Sequence, residues 1–411
     1  MNQHVDAFQH QTISGVSNPQ RGIKYIAIAD FLRVASISLI AWYHFWQQSW
    51  LDPSFYFGGV YINLQKLVSA GYMMVDSLLV LSGFLLTIPY AQAMVERKQI
   101  PAAKNFYFKR LWRIVPSYFF ALTTVFLLYA IPGKMYPSAG NAVLDLVAHL
   151  TFTHNLSSFT YFMTPFPSVL WTLAVEVQFY LLFPPLMKWF TKQPISACLV
   201  LVLCSFCARQ WVYLGTDNTT YFVNQLPCML DLYACGMAAA LWYVRLSEKV
   251  KKLPCGLMPL GTLLCFLIVL QIVYIQPYGD YEAIRHAQLL WRFPMGVISA
   301  CMLLLGGLSP RGTQKLIGNI VTRFLSGISY NFYIWHQFLA LRLKDWHIPA
   351  YTSEYPQQTG EVPWQFQYMF LCFVVGILAA GVVTYIVEKP LSKYGRKRCL
   401  NETNCLTYSN P

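Results

Sequence analysis

The stretch DFLRVASISLIAWYHFW, residues 30–46, decides how this chain is read. It is an apolar run of the kind that crosses a bilayer, yet it carries Arg33 and His44. On a helix, eleven residues make about three turns and roughly 16 Å of rise, so the two side chains share a face at different depths. Asp30 and Ile37 fall on the same stripe. Ionisable groups inside a membrane are costly unless they pair or face a wet cavity. The stripe therefore reads either as the lining of an internal passage or as an Asp30–Arg33 salt bridge at one surface with a histidine tucked beneath the other.

Working outward, the composition is that of a membrane protein. The 411 residues are 56% hydrophobic and only 11% charged, with a mean hydropathy of +0.42. Apolar segments of about 20 residues recur along the chain and leave no polar block large enough for a separate soluble domain. The fold expected is all-α and polytopic, with about ten transmembrane helices. They fall near 28–48, 72–94, 112–131, 168–188, 195–214, 223–244, 256–275, 288–308, 322–341 and 366–388. Residues 1–27 read as an uncleaved cytoplasmic leader, 28–390 as the membrane domain and 391–411 as a basic cytoplasmic tail. The LDLVAHLTFTH run inside 132–167 is too short to span and reads as a surface-lying or re-entrant helix on the outer side.

The net charge of +13 follows the spans. Of the 30 Lys and Arg residues, 22 lie in alternate segments beginning with the N-terminus, seven lie in or beside the intervening loops, and Arg33 is within a span. That is the positive-inside pattern, so both termini are expected in the cytoplasm and the basic balance needs no nucleic-acid partner. The eleven cysteines fit mostly apolar spans. Cys204 and Cys207 have metal-like spacing but no partner pair, so no metal site is expected.

Further polar residues interrupt the later spans. Asp76 and Ser82-Gly83 sit in the second; small residues there also serve close helix packing. Arg110 and Arg113 precede the third, three apart on one helix face and suited to bidentate capture of phosphate, although positive-inside anchoring explains them equally. Glu176 and Tyr180 are one turn apart in the fourth, and His336 lies toward the outer side of the ninth, where an interfacial role is equally open.

In order, these landmarks resemble the membrane acyltransferase family 3. They are Arg-x10-His (Arg33, His44), VDxxxVLSGF (Asp76, Ser82, Gly83, Phe84), RxxR (Arg110, Arg113), WxLxVExQFYL (Trp171, Glu176, Gln178, Tyr180), SYxxYxxH (Ser329, Tyr330, Tyr333, His336) and a closing Glu388-Lys389-Pro390. Two positions depart from the family's habit: Val34 replaces a glycine after the arginine, and Val177 replaces the second acid beside Glu176. The chain looks like the form without a fused extracytoplasmic esterase-like domain.

The resemblance implies a multi-pass cell-membrane enzyme that moves an acyl group, commonly acetyl, from cytoplasmic acyl-CoA to a hydroxyl of an extracytoplasmic carbohydrate or glycoconjugate. Acyl-CoA is then a substrate, with no bound cofactor and no metal. In these roles Arg33, Arg110 and Arg113 would hold the CoA phosphates. His44 would act as general base or be transiently acylated, with Asp76 or Glu176 orienting its ring. Ser82, Tyr180 and His336 would support the site. Homo-oligomer formation is left open. The competing reading is a secondary transporter or exporter, which also lines a passage with charges but has no need of arginines three apart at the cytoplasmic mouth.

Overall fold

In the computed structural model, described for residues 25–216, 218–247, 256–277 and 279–395, the chain is almost wholly helical. The long helices are α1 (Ala27–Ser49), α2 (Met74–Glu96), α3 (Ala103–Val125, continued by a π turn to Ala130), α4 (Ala139–Leu150), α5 (Trp171–Phe190), α6 (Pro194–Gly215), α7 (Leu230–Leu246), α8 (Leu257–Tyr274), α9 (Tyr281–Leu308), α10 (Ile320–Asp345) and α11 (Val362–Val383). Most of the leader and tail expected at 1–27 and 391–411 lies outside the described residues.

Eight of these helices are long and apolar enough to cross a membrane, which makes this a multi-pass membrane protein. The eight leave out α1 and α10, the first and ninth spans expected from sequence. Both form unbroken helices, of 23 and 26 residues, but their polar stripes lower their hydropathy. At 12 residues α4 rises about 18 Å, too short to span, as its sequence implied.

The helices that matter most for the site are held close by small residues. A Cβ built on Gly236 of α7 would lie 2.1 Å from the Val80 carbonyl oxygen of α2, and one on Gly83 would lie 2.5 Å from that of Tyr233. Backbone therefore meets backbone along this seam, the small-residue packing open to Ser82-Gly83 from sequence. Helix α1 is tied to α10 through Ser326, whose hydroxyl donates to Asp30 Oδ1 at 2.6 Å. Asn331 of α10 donates to Thr384 and Glu388, so the closing Glu-Lys-Pro pins the C-terminal helix to α10.

A two-stranded antiparallel hairpin, β1 (Phe55–Phe57) and β2 (Val60–Ile62), interrupts the helical pattern. Gly58 and Gly59, at φ +58° and +82°, supply the two positive-φ residues that a tight hairpin turn needs. FYFGGVYI carries this signal in its aromatic and β-branched residues around Gly-Gly, a local departure from the all-α expectation.

Candidate functional site

Two adjoining cavities run along one face of α1. The first, about 190 Å³, is lined by Arg33, Ser82, Arg110, Arg113, Glu176 and Tyr180 among others. The second, about 890 Å³, is lined by His44, Gln47, Asp76, Arg292 and Gln337, with Tyr43, Trp46, Tyr72 and Trp171 supplying aromatic faces. Val75 and Tyr333 line both, so these two side chains belong to the wall between them. The stripe legible in residues 30–46 is thus divided: Arg33 and Ile37 face one cavity, Ile40 and His44 the other.

In the arginine cavity three guanidinium groups meet one carboxylate. Glu176 Oε1 accepts from the Ser82 hydroxyl at 3.0 Å and from the Tyr180 hydroxyl one turn along α5. Arg110 lies over the ring of Tyr180 at 5.5 Å and that of Phe106 at 5.8 Å, which fixes its plane. Arg33 reaches Ser326 at 3.1 Å and Asp30 at 3.4 Å, so the Asp30–Arg33 salt bridge exists and the same arginine also lines the cavity. Three positive charges against Glu176 and, behind Arg33, Asp30 leave a net positive, partly enclosed space that favours an anion.

At the histidine end, Nδ1 of His44 is approached by Gln47 Oε1 at 3.1 Å and Gln337 Nε2 at 3.2 Å. Nε2 makes no hydrogen bond among the described residues, on a ring that lines the larger cavity. His336 is fully buried: its Nδ1 donates to the Tyr333 carbonyl at 2.8 Å, and its ring centroid is 5.3 Å from that of His44. It is a buried neighbour of His44, not an interfacial residue.

Among the described residues, neither Asp76 nor Glu176, expected to orient the His44 ring, makes a hydrogen bond to it. Asp76, 2% exposed, faces Arg292 Nε of α9 at 3.6 Å, and Glu176 is committed to Ser82 and Tyr180 in the other cavity. Asp76 opens α2 on the side toward α9, and Glu176 lines the arginine cavity, which the shared wall separates from His44. The groups on the imidazole are neutral amides instead.

Sequence reasoning missed Gln47, Gln337 and Arg292. Arg209 and Arg292 are two of the seven basic residues in or beside the intervening loops, yet both are buried; Arg209 pairs with Asp231 at 2.5 Å, and Arg292 holds Asn224 Oδ1 at 3.0 Å and the Val223 carbonyl. The spacing of Arg285 and Arg292, seven residues on one helix face, was an available signal. Gln178, part of the family motif, instead binds Asn155 at 2.8 Å and anchors the 132–167 segment.

A helical membrane protein with an anion-favouring cavity backed against a histidine cavity has the parts of a group-transfer enzyme. The chain belongs to the family described as "Acyltransferase domain", acyltransferase family 3, whose model matches residues 26–386. It is 26% identical over 330 residues to the peptidoglycan O-acetyltransferase OatA of Listeria monocytogenes, covering 76% of this chain and 49% of that protein. To the putative peptidoglycan O-acetyltransferase YrhL of Bacillus subtilis it is 25% identical over 350 residues, covering 80% and 51%. To the putative acetyltransferase ORF330 of Acidianus two-tailed virus it is 25% identical over 312 residues, covering 75% and 81%. The chain spans about half the length of OatA and YrhL. No solved structure matches it.

Proposed function

We propose that this protein is a membrane O-acyltransferase, acetyl being the group transferred, that takes the acyl group from cytoplasmic acyl-CoA and places it on a carbohydrate hydroxyl on the other side. The observation that carries the reading is that one helix, α1, presents Arg33 to the anion-favouring cavity and His44 to the adjoining one. Arg110, Arg113 and Arg33 hold the CoA phosphates and adenosine end. The pantetheine arm passes the Val75–Tyr333 wall and brings its thioester to His44. The acceptor sugar enters the larger cavity, where aromatic rings and amides suit its apolar faces and hydroxyls.

In the step itself the acceptor hydroxyl gives its proton to Nε2 of His44 as its oxygen attacks the thioester carbon. The carbon–sulfur bond breaks, the ester forms, and the imidazolium returns the proton to the CoA thiolate. Gln47 and Gln337 orient the ring; Glu176, Ser82 and Tyr180 shape the donor passage; Asp76 and Arg292 brace the acceptor cavity.

The test uses oriented vesicles holding the whole protein. Acyl-CoA supplied on the cytoplasmic side supports acylation of an impermeant glycan supplied only on the other, and His44→Ala abolishes turnover while CoA still binds. Activity confined to experiments with both substrates on the cytoplasmic side overturns the sidedness, and an active His44→Ala overturns the base.

A further inference from the structure

On the flank of α1 opposite His44 lies another recess. It holds about 240 Å³ and is lined by Ala35, Ser38 and Trp42 of α1, Phe266 and Leu270 of α8 and Phe373 of α11. Both α8 and α11 are long and apolar enough to span a membrane, and Ser38 is exposed in the middle of α1. Beside the recess, Leu263 and Leu267 of α8 and Phe366 and Phe370 of α11 are exposed as well. The recess therefore opens between two faces that lipid covers.

The recess is sealed from the histidine cavity where the two lie closest. A Cβ on Gly71 would lie 2.5 Å from the Leu39 carbonyl oxygen, so the turn there is packed on α1 backbone to backbone. The two spaces share one rim, the short helix Gln65–Ser69. Gln65 and Ser69, four apart, line the histidine cavity, whereas Leu67 on the other side of that helix lines the recess. Lys66 lies between them, its Nζ 5.8 Å over the ring of Tyr274 at the end of α8. The hairpin leading into this helix has an apolar face of its own. Tyr56 pairs with Tyr61, which leaves Phe55, Phe57, Val60 and Ile62 on the other side, with Phe57 73% and Val60 63% exposed. A lone two-stranded ribbon is marginal in water, so an open apolar face on one places the rim at a lipid surface.

We propose that the acceptor is a saccharide joined through an anionic group to an apolar chain, and that it enters from the bilayer across this rim. The chain lies in the recess, the anionic link meets Lys66, and the sugar passes over Gln65 and Ser69 to His44. The proposal rests on the reading of the His44 cavity as the acceptor site. Apolar, cationic and amide surfaces follow one another around a single short helix, in the order in which such a molecule needs them. The chain comes from lipid that is already apolar, so the recess contributes placement more than affinity: it fixes the depth at which a hydroxyl reaches the histidine.

The experiment uses the whole protein in nanodiscs and one probe, N-acetylglucosaminyl farnesyl phosphate with a diazirine on its last isoprene unit. Ultraviolet labelling and peptide mapping put the probe on residues 35–42 and 266–270 and on Phe373. Unlabelled probe competes, and excess phosphatidylglycerol does not. Ser38→Phe fills the recess and abolishes this labelling. Lys66→Gln weakens it by roughly threefold, the scale of one exposed charge contact. Thermal melts equal to wild type report that the variants are folded, and the competition needs no substitution at all. Label spread evenly along the outer faces of α8 and α11, or displaced as well by phosphatidylglycerol, overturns the proposal. His44→Ala labels as wild type does, so the route and the base are tested apart: acylation that persists in His44→Ala would overturn the base and leave the route standing.

Discussion

On the proposed reading of the arginine cavity as the acyl-CoA site, removing the arginine fork gives the sharpest prediction. Arg110 and Arg113 are two of the three cationic side chains that line it, and replacing both by Ala leaves only Arg33, already paired with Asp30, beside Glu176. A hydrogen bond to a charged group contributes about 1.5–3 kcal/mol. The two arginines do not contribute equally. Arg110 is half-buried and braced on Tyr180, so it takes the lower end of that range, about 1.5 kcal/mol. Arg113 is exposed, and screening reduces its share to about 0.5–1 kcal/mol. Together they amount to about 2–2.5 kcal/mol, or a loss of CoA affinity of about 30- to 70-fold in the double variant. Isothermal titration of CoA into the protein in nanodiscs measures it directly. Arg110→Ala alone weakens binding more than Arg113→Ala, and added salt shrinks the Arg113 effect more than the Arg110 effect. Wild-type CoA affinity in the double variant would refute the reasoning and return both residues to signals of topology.

Three further outcomes follow from particular contacts. Gly236→Ala must separate α7 from α2 by roughly 1 Å, because the new methyl meets backbone that cannot turn aside, and the overpacking costs about 1–3 kcal/mol; a thermal melt equal to wild type would contradict the close seam. Asp76→Asn leaves Arg292 buried without its carboxylate and costs about 3 kcal/mol, while the double variant Asp76→Asn/Arg292→Met recovers most of it; a wild-type melt with lost turnover would make Asp76 a chemical group instead. In the 132–167 segment, burial and then the charge of His149, stacked on it at 4.0 Å, push His154 down to about 2. Its unfolded form takes up a proton first, so the segment's stability is full above about pH 6.5 and declines as pH falls below it. Hydrogen exchange of the segment reads this, and His154→Phe, which keeps the stacking, removes the acid sensitivity.

The helices and their order were legible because apolar length, basic loops and aromatic ends are local signals that survive in a single sequence. So were Arg33 and His44: their spacing puts them on one face whatever packs around it. Which carboxylate meets which partner was not legible, since that depends on the rotation of α2 and α5 against helices distant in the chain. Asp76 found Arg292, more than two hundred residues away, and Glu176 found Ser82. Arg209 and Arg292 misled because a positive-inside count treats every basic residue near a span end as facing water, and these two are buried ion-pair members. Gln47 and Gln337 passed unnoticed for a plainer reason: a neutral amide carries no charge to look out of place in an apolar run.

The shared wall of Val75 and Tyr333 bears on something other than transfer. On the proposed reading, water enters the protein from opposite faces of an energised membrane and stops at this partition. Its aliphatic side chain and its phenol, whose oxygen accepts from Thr172 at 2.9 Å, then act as an electrical insulator. If the transfer runs as proposed, each passage of a pantetheine arm opens the partition briefly and plugs it with the same apolar chain, so a cell would express this enzyme without discharging the ion gradient on which it lives.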